Sequence, residues 1–162
     1  MVLENSDDDL QMLYGETILF FGGGRWTRIL LQVTTHILPN SKIVVISPRN
    51  AEGMRKWVSA NQAYSRVIVS ENADDWLEHD FFAAIVVNAV HDHSNAIQWC
   101  IKKSIPILVE KPISLNYNEV LDLYKQALRH NVLLAPSHIF LFTSYLEEFK
   151  RKIAAAGYIE KI

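Results

Sequence analysis

The sequence predicts a doubly wound, mostly parallel α/β sheet with helices on both faces. Three observations predict it. From Thr17 onward, short apolar segments rich in β-forming residues alternate with segments of helical period. The apolar segments are near-continuous rather than alternating, which is the pattern of strands buried on both faces. Three of the six glycines, Gly22, Gly23 and Gly24, fall together at the first strand-to-helix junction. Right-handed crossovers then fold the alternation into one sheet clothed on either side.

The first strand is Thr17-Ile18-Leu19-Phe20-Phe21. A helix follows the glycines, with Trp26, Ile29, Leu30, Val33 and Ile37 on its expected apolar face and Pro39-Asn40 closing it. The second strand covers 42–47 and ends in Pro48-Arg49-Asn50. A helix over 51 to about 61 takes Asn50 as its N-cap, against the helix-weakening Gly53. The third strand is 66–69, and Trp76 and Leu77 sit in a short helical connection. The fourth strand, 83–87, ends at Asn88, and a helix over 94–103 leads to the fifth strand, 105–109. The next helix runs from 116 to about 130. Asn116 and Glu119 make a capping-box-like pair there, and Val120, Leu121, Tyr124 and Leu128 are its stripe. The sixth strand is 132–135, and a last helix covers 144–156.

Composition bounds the rest. The chain has 162 residues, 49% of them hydrophobic and 21% charged, which is globular composition and excludes disorder for its bulk. A chain of this size buries about two-thirds of its unfolded surface and needs no disulfide or metal staple. Sixteen basic against eighteen acidic residues give a net charge of −2 with no basic block, so neither nucleic acid nor an anionic membrane is the expected partner. Cys100 stands alone, which excludes an internal disulfide and a cysteine zinc site and suits a reducing compartment. Residues 1–13 read as an acidic lead-in without the basic start of a secretory leader. No apolar run approaches the ~18 residues of a membrane span. The expected location is the cytoplasm.

The glycine triplet is the first functional signal. Glycine tolerates positive φ and lets backbone N–H groups reach a pyrophosphate with no Cβ in the way, and the helix behind adds partial positive charge. Against the pattern G-x-G-x-x-G, Gly22 and Gly24 match, while Thr27 replaces the third glycine. That exchange predicts a displaced helix or a small partner on the strand side. Gly22, Gly23 and Gly24, with Arg25 and Trp26 opening the helix, are the candidate phosphate cradle; a plain tight turn is the alternative.

An acid that reads a ribose is expected about 20 residues further on, at the end of the second strand. Ser47 and Arg49 stand there instead. A hydroxyl beside a guanidinium suits a 2′-phosphate, so the residues favour NADP(H) over NAD(H). The alternative is that Arg49 is a solvated loop arginine.

Two more clusters border the expected crevice, because ligands of this fold lie beyond the carboxyl ends of strands. One is Asn88-Ala89-Val90-His91-Asp92-His93 and the other Glu110-Lys111-Pro112. The histidines and Asp92 have no third ligand nearby in sequence, so no metal is expected. Cys100, between Trp99 and Ile101, reads as a buried thiol, and the four tryptophans as core or helix packing.

Taken together, the glycine loop, Asn88 with His93, Glu110-Lys111-Pro112 and Ser137-His138 resemble the N-terminal Rossmann-type domain of the Gfo/Idh/MocA oxidoreductases. The resemblance runs from about residue 17 to the end. It implies a dinucleotide-binding domain over 14–142. The segment 143–162 then holds a helix and the opening of a second domain, which is absent from the chain. It implies hydride transfer between a nicotinamide and a sugar-like, carbonyl or imine substrate, with nucleotide binding but not full catalysis in this chain alone. By resemblance, Lys111 is catalytic beside His138, and Asn88, His93 and Glu110 flank the cofactor. The Lys111-Pro112 bond is a candidate for the cis form. The resemblance leaves room for a homo-oligomer through the second domain or the last helix. Thr27, Asn88 and Leu141 depart from the family's usual glycine, threonine and arginine. The alternative is a non-catalytic nucleotide-binding or scaffold module, in which Phe140, Phe142, Tyr145, Leu146 and Phe149 would meet a partner. A methyltransferase would want an acid after the second strand and has no use for Glu-Lys-Pro.

Overall fold

A computed structural model describes residues 16–138, 141 and 143–157. Within them, six strands form one parallel sheet: β1 (Thr17–Phe21), β2 (Lys42–Ile46), β3 (Val67–Ser70), β4 (Ala83–Val86), β5 (Ile107–Val109) and β6 (Leu134–Pro136). Their order is β3-β2-β1-β4-β5-β6, so the chain starts in the middle, winds outward and then returns to wind the other way. Every neighbouring pair is parallel. The α-helices among the described residues are α1 (Arg25–Ile37), α2 (Ala51–Ser59), α3 (Val90–Lys102), α4 (Tyr117–Arg129) and α5 (Ser144–Ala156), and short 3-10 turns cover Gln62–Tyr64 and Ala73–Trp76. None is long and apolar enough to cross a membrane.

The sheet has one core on each face, and alternate strand residues feed them. Leu19, Phe21, Val44, Ile46, Ala84 and Val86 pack with Ile97, Ile101, Leu123 and Ala127 of α3 and α4. Ile18, Phe20, Ile43 and Val45 pack with Leu31 and Met54 of α1 and α2. This two-sided burial is why the strands read as continuous apolar runs. Cys100 is fully buried in the first core, and desolvation pushes its thiol far above the ordinary range, so it is inert packing.

Several helix details differ from the sequence expectation. On α1 the buried residues are Thr27 and Leu31, whereas Trp26, Val33 and Ile37 are 43%, 48% and 52% exposed. Apolar residues occupy more than one side of that helix, and the sheet takes the side centred on Thr27 and Leu31. On α4, Leu123 and Ala127 are buried with Val120 and Tyr124 beside them, while Leu121 and Leu128 face outward. Asn116 caps that helix as expected, its Oδ1 accepting from the N–H groups of Asn118 and Glu119. Glu119 does not reach back to Asn116; it accepts from the Ser114 hydroxyl, and Ser114 Oγ accepts the Asn116 N–H. Hydrogen bonds from Ser114 and then Ser94 hold the Glu119 carboxyl below its ordinary range.

Helix α3 starts at Val90 rather than Ser94. The polar string before Ser94 is its first turn and not a loop. Trp26 is outside both cores, and Trp57 stacks on Tyr64 at the rim of the second. Of the expected apolar patch near α5, Tyr145 and Phe149 are exposed and Leu146 is half-buried, whereas Phe140 and Phe142 lie outside the described residues. The lead-in over 1–13 and the segment 158–162 also lie outside them.

The face that α1 buries can be checked directly. Leu31→Ala is expected to cost about 2–5 kcal/mol of unfolding free energy, as a fully buried core truncation does. Val33→Ala, on the exposed side, should stay within about 0.5 kcal/mol. Urea denaturation of the two variants measures both.

Candidate functional site

The carboxyl ends of the strands are tied into one row. Ser47 donates its N–H to Ser70 O, Gly22 to Ile46 O, Val87 to Phe21 O, Glu110 to Val86 O and Ser137 to Val109 O, at 2.8–2.9 Å. This extends the parallel ladder one residue past five of the six strands. It lines up the starts of the loops that carry the candidate residues along a single edge.

Over this edge, between the loops after β1, β2 and β3 and the start of α3, lies a crevice of about 900 Å³. Its floor is the glycine turn. Gly22 has φ +150°, and a Cβ there would come within 2.7 Å of Thr27 Oγ1 and 3.0 Å of Val87 O. Thr27 is itself fully buried, so the small strand-side partner expected for it is Gly22. A Cβ on Gly23 would collide with Ser47 Oγ, while one on Gly24 would meet nothing within 4 Å. Gly22 and Gly23 therefore let the turn press against β2 and α1, and Gly24 faces open space.

Asn50 reinforces the turn. Its Nδ2 donates to Gly23 O at 2.6 Å, so the side chain braces the glycine loop rather than capping α2, where no side-chain cap bond forms. Ser47 is buried against Gly23 and shapes the turn from below. Ser47 and Arg49 both line the crevice.

The crevice is chemically suited to a dinucleotide. Gly24 caps α1 with no side chain, and no acid sits in the helix's first turn, so the N-terminal N–H groups and their partial positive charge are left for an anion. Arg25 and Trp26 line the crevice beside them. The buried Asn88 Oδ1 has no hydrogen-bond partner among the described residues, and Asn88 also lines the space. Apolar walls come from Phe21, Ile46, Val87 and Trp99. Sequence reasoning missed Asn50, Glu71 and Asn72, which also line the crevice. The position of Glu71 and Asn72 just after a strand was the one signal available.

Arg49 crosses from the loop after β2 to the first turn of α3. It forms an ion pair with Asp92, and its two terminal nitrogens lie 3.3 and 3.4 Å from His91 Nε2. His93 faces the other way. It is buried, with Nδ1 3.0 Å from Pro112 O and Nε2 3.1 Å from Asn88 O. It is not among the residues that line the crevice. A residue on the inward side of a first turn is read as accessible when that turn is taken for a loop.

Glu110, Lys111 and His138 are not brought into the crevice wall either. They stand farther along the same edge, after β5 and β6. Glu110 Oε2 accepts the Lys111 N–H at 3.3 Å, the Lys111 and His138 side chains are exposed, and the Lys111–Pro112 bond is cis.

Comparisons with known proteins agree with this geometry. Residues 17–138 match the Gfo/Idh/MocA family model, described as an oxidoreductase family with an NAD-binding Rossmann fold. A search of curated proteins gives no match. Many solved structures share the fold. A Gfo/Idh/MocA family oxidoreductase from Vibrio cholerae is 22% identical with a TM-score of 0.71, over 85% of this chain and 44% of its own. GenD2 from gentamicin A biosynthesis, solved in complex with NAD, is 20% identical with a TM-score of 0.74, over 87% and 39%. The scyllo-inositol dehydrogenase of Lactobacillus casei, with bound NAD(H) and scyllo-inositol, is 18% identical with a TM-score of 0.73, over 91% and 43%. The chain thus spans under half the length of these structures.

Four variants test how the site is held. Gly23→Ala is expected to cost about 1–3 kcal/mol through overpacking against Ser47, and adding Ser47→Ala should recover part of that loss. His93→Ala should cost about 2–4 kcal/mol, since it opens a cavity and removes a ring N–H donor from between two carbonyls, whereas His91→Ala should cost little. Chemical denaturation curves of the four proteins provide the comparison.

Proposed function

The chain belongs to the Gfo/Idh/MocA oxidoreductase family and carries its NAD-binding Rossmann domain, and from that premise we propose that the crevice over Gly22–Gly24 is where it holds the dinucleotide of a hydride-transfer enzyme. The observation that carries this is the glycine turn itself. Two glycines are pressed too tightly for side chains, the third is open, and the helix behind them lacks a capping side chain and a first-turn acid.

Each residue then has a task that its position permits. The backbone of 22–24 and the start of α1, with Arg25 and Trp26, would hold the pyrophosphate. Asn88 would offer its unpaired Oδ1 to a hydroxyl or amide. The bound nicotinamide supplies or accepts the hydride. Lys111, exposed at the end of β5, would donate a hydrogen bond to a substrate oxygen and stabilise negative charge developing there, with Glu110 orienting it and His138 bordering the substrate. The substrate class is a sugar-like alcohol, carbonyl or imine compound. Hydride transfer belongs to the whole enzyme, and this chain by itself binds nucleotide without full turnover. His93 acts at one remove, by joining the end of β4 to the Pro112 carbonyl beside Lys111.

NADP(H) is the proposed preference, and Arg49 is its basis. No acid stands at the end of β2 to repel a 2′-phosphate, and a guanidinium can hold one with paired hydrogen bonds.

Titration with NADPH and NADH, followed by nicotinamide fluorescence or calorimetry, tests the proposal. Arg49→Ala is expected to weaken NADPH about tenfold or more, the loss of a charge-assisted phosphate contact, and to change NADH little. Binding of neither nucleotide would overturn the cofactor-site reading and favour the scaffold alternative. Equal loss for both would remove the 2′-phosphate role.

A further inference from the structure

We propose that Asp92 sets the balance between the phosphorylated and the unphosphorylated dinucleotide, by competing with the 2′-phosphate for Arg49. The inference rests on the reading that Arg49 faces the adenosine end of the cofactor.

Three facts carry it. Arg49 and Asp92 line the crevice from opposite walls, one from the loop after β2 and the other from the first turn of α3. They are paired through Arg49 Nη2 and Asp92 Oδ2, so one terminal nitrogen of the guanidinium is already engaged. The Arg49 side chain is 67% exposed and that of Asp92 30%, so the pair sits at the mouth of the crevice, with the acid on its more sheltered side. His91 Nε2 holds the same guanidinium from a second direction.

Each edge of a guanidinium gives its paired N–H donors to one oxyanion group at a time, and Asp92 holds Arg49 at Nη2. A 2′-phosphate that takes the same edge must displace the Asp92 carboxylate, and one that takes another edge still sits near that negative charge. A plain ribose hydroxyl meets neither cost. Asp92 thus penalises the phosphorylated cofactor and leaves the other untouched, which is discrimination by an opposing contact rather than an added one. The missing acid at the end of β2 is in this sense supplied from α3. An acid in a first helical turn also stabilises the helix, but any hydrogen-bonding side chain at that position serves that purpose in part.

The test is the titration of the wild-type chain, Asp92→Asn, Arg49→Ala and the double variant with NADPH and NADH, with thermal melts to confirm folding and Asp92→Ser as a second neutral variant. Loss of the competitor should tighten NADPH roughly five- to tenfold, at the upper end for an exposed ion pair because a like charge is removed as well. NADH should change by less than about twofold, and the gain should largely vanish in the Arg49→Ala background. If the neutral variants leave NADPH unchanged while Arg49→Ala weakens it, the inference falls and the reading of Arg49 stands. Equal tightening of both cofactors also overturns it. If Arg49→Ala leaves NADPH unchanged, or no variant binds either nucleotide, the reading of Arg49 fails and the inference fails with it.

Discussion

Everything in the site depends on the parallel ladder continuing one residue past the carboxyl ends of the strands. The N–H groups of Gly22, Ser47, Val87, Glu110 and Ser137 each donate to the neighbouring strand. Those bonds fix where five loops begin. Strand side chains alternate between faces, so a slip of one residue would exchange the two cores and move every loop. The two separate apolar clusters make such a slip prohibitive. The edge is therefore as rigid as the core beneath it, and polar residues can be spent on it without loss of fold.

The glycine turn shows what that rigidity allows. Gly22 and Gly23 press against Thr27, Val87 and Ser47, leaving no room for a Cβ, and Asn50 ties Gly23 O to the start of α2. Two residues near the end of β2 are consumed in bracing a loop that follows β1. This is a packing solution to the replacement of the third glycine by Thr27. The helix is accommodated because Gly22 yields the space. The same solution buries Ser47 at the floor of the crevice, while Arg49 extends above it.

How much of this could be read beforehand follows from which interactions are local. The strands, their order of appearance and the glycine junction were legible, because continuous burial and backbone freedom act on neighbouring residues. Asn116 was legible as a cap for the same reason. The buried faces of α1 and α4 were not. Each helix carries apolar residues on more than one side, and only the sheet decides whether Leu31 or Val33, and Leu123 or Leu121, is covered. The burial of His93 was not legible for a related reason. Its carbonyl partners are Asn88, five residues away, and Pro112, nineteen away, and nothing in the string around it announces burial. Arg49 stands in the loop after β2, but its partner lies on a helix beyond two further strands.

That last contact explains why cofactor preference cannot be taken from the second strand alone. The usual argument treats an acid or an arginine at one position as the whole of the electrostatics. A crevice has two walls, and here they carry opposite charges that meet across it. The field a ribose or a phosphate meets is the sum over both. In a partly desolvated cleft, the interaction of close charges is stronger than in bulk water, so neither wall is negligible. Arg49 without Asp92 would be a phosphate site, and Asp92 without Arg49 a barrier to one. As a pair they form a graded device whose setting depends on how completely the carboxylate holds the guanidinium.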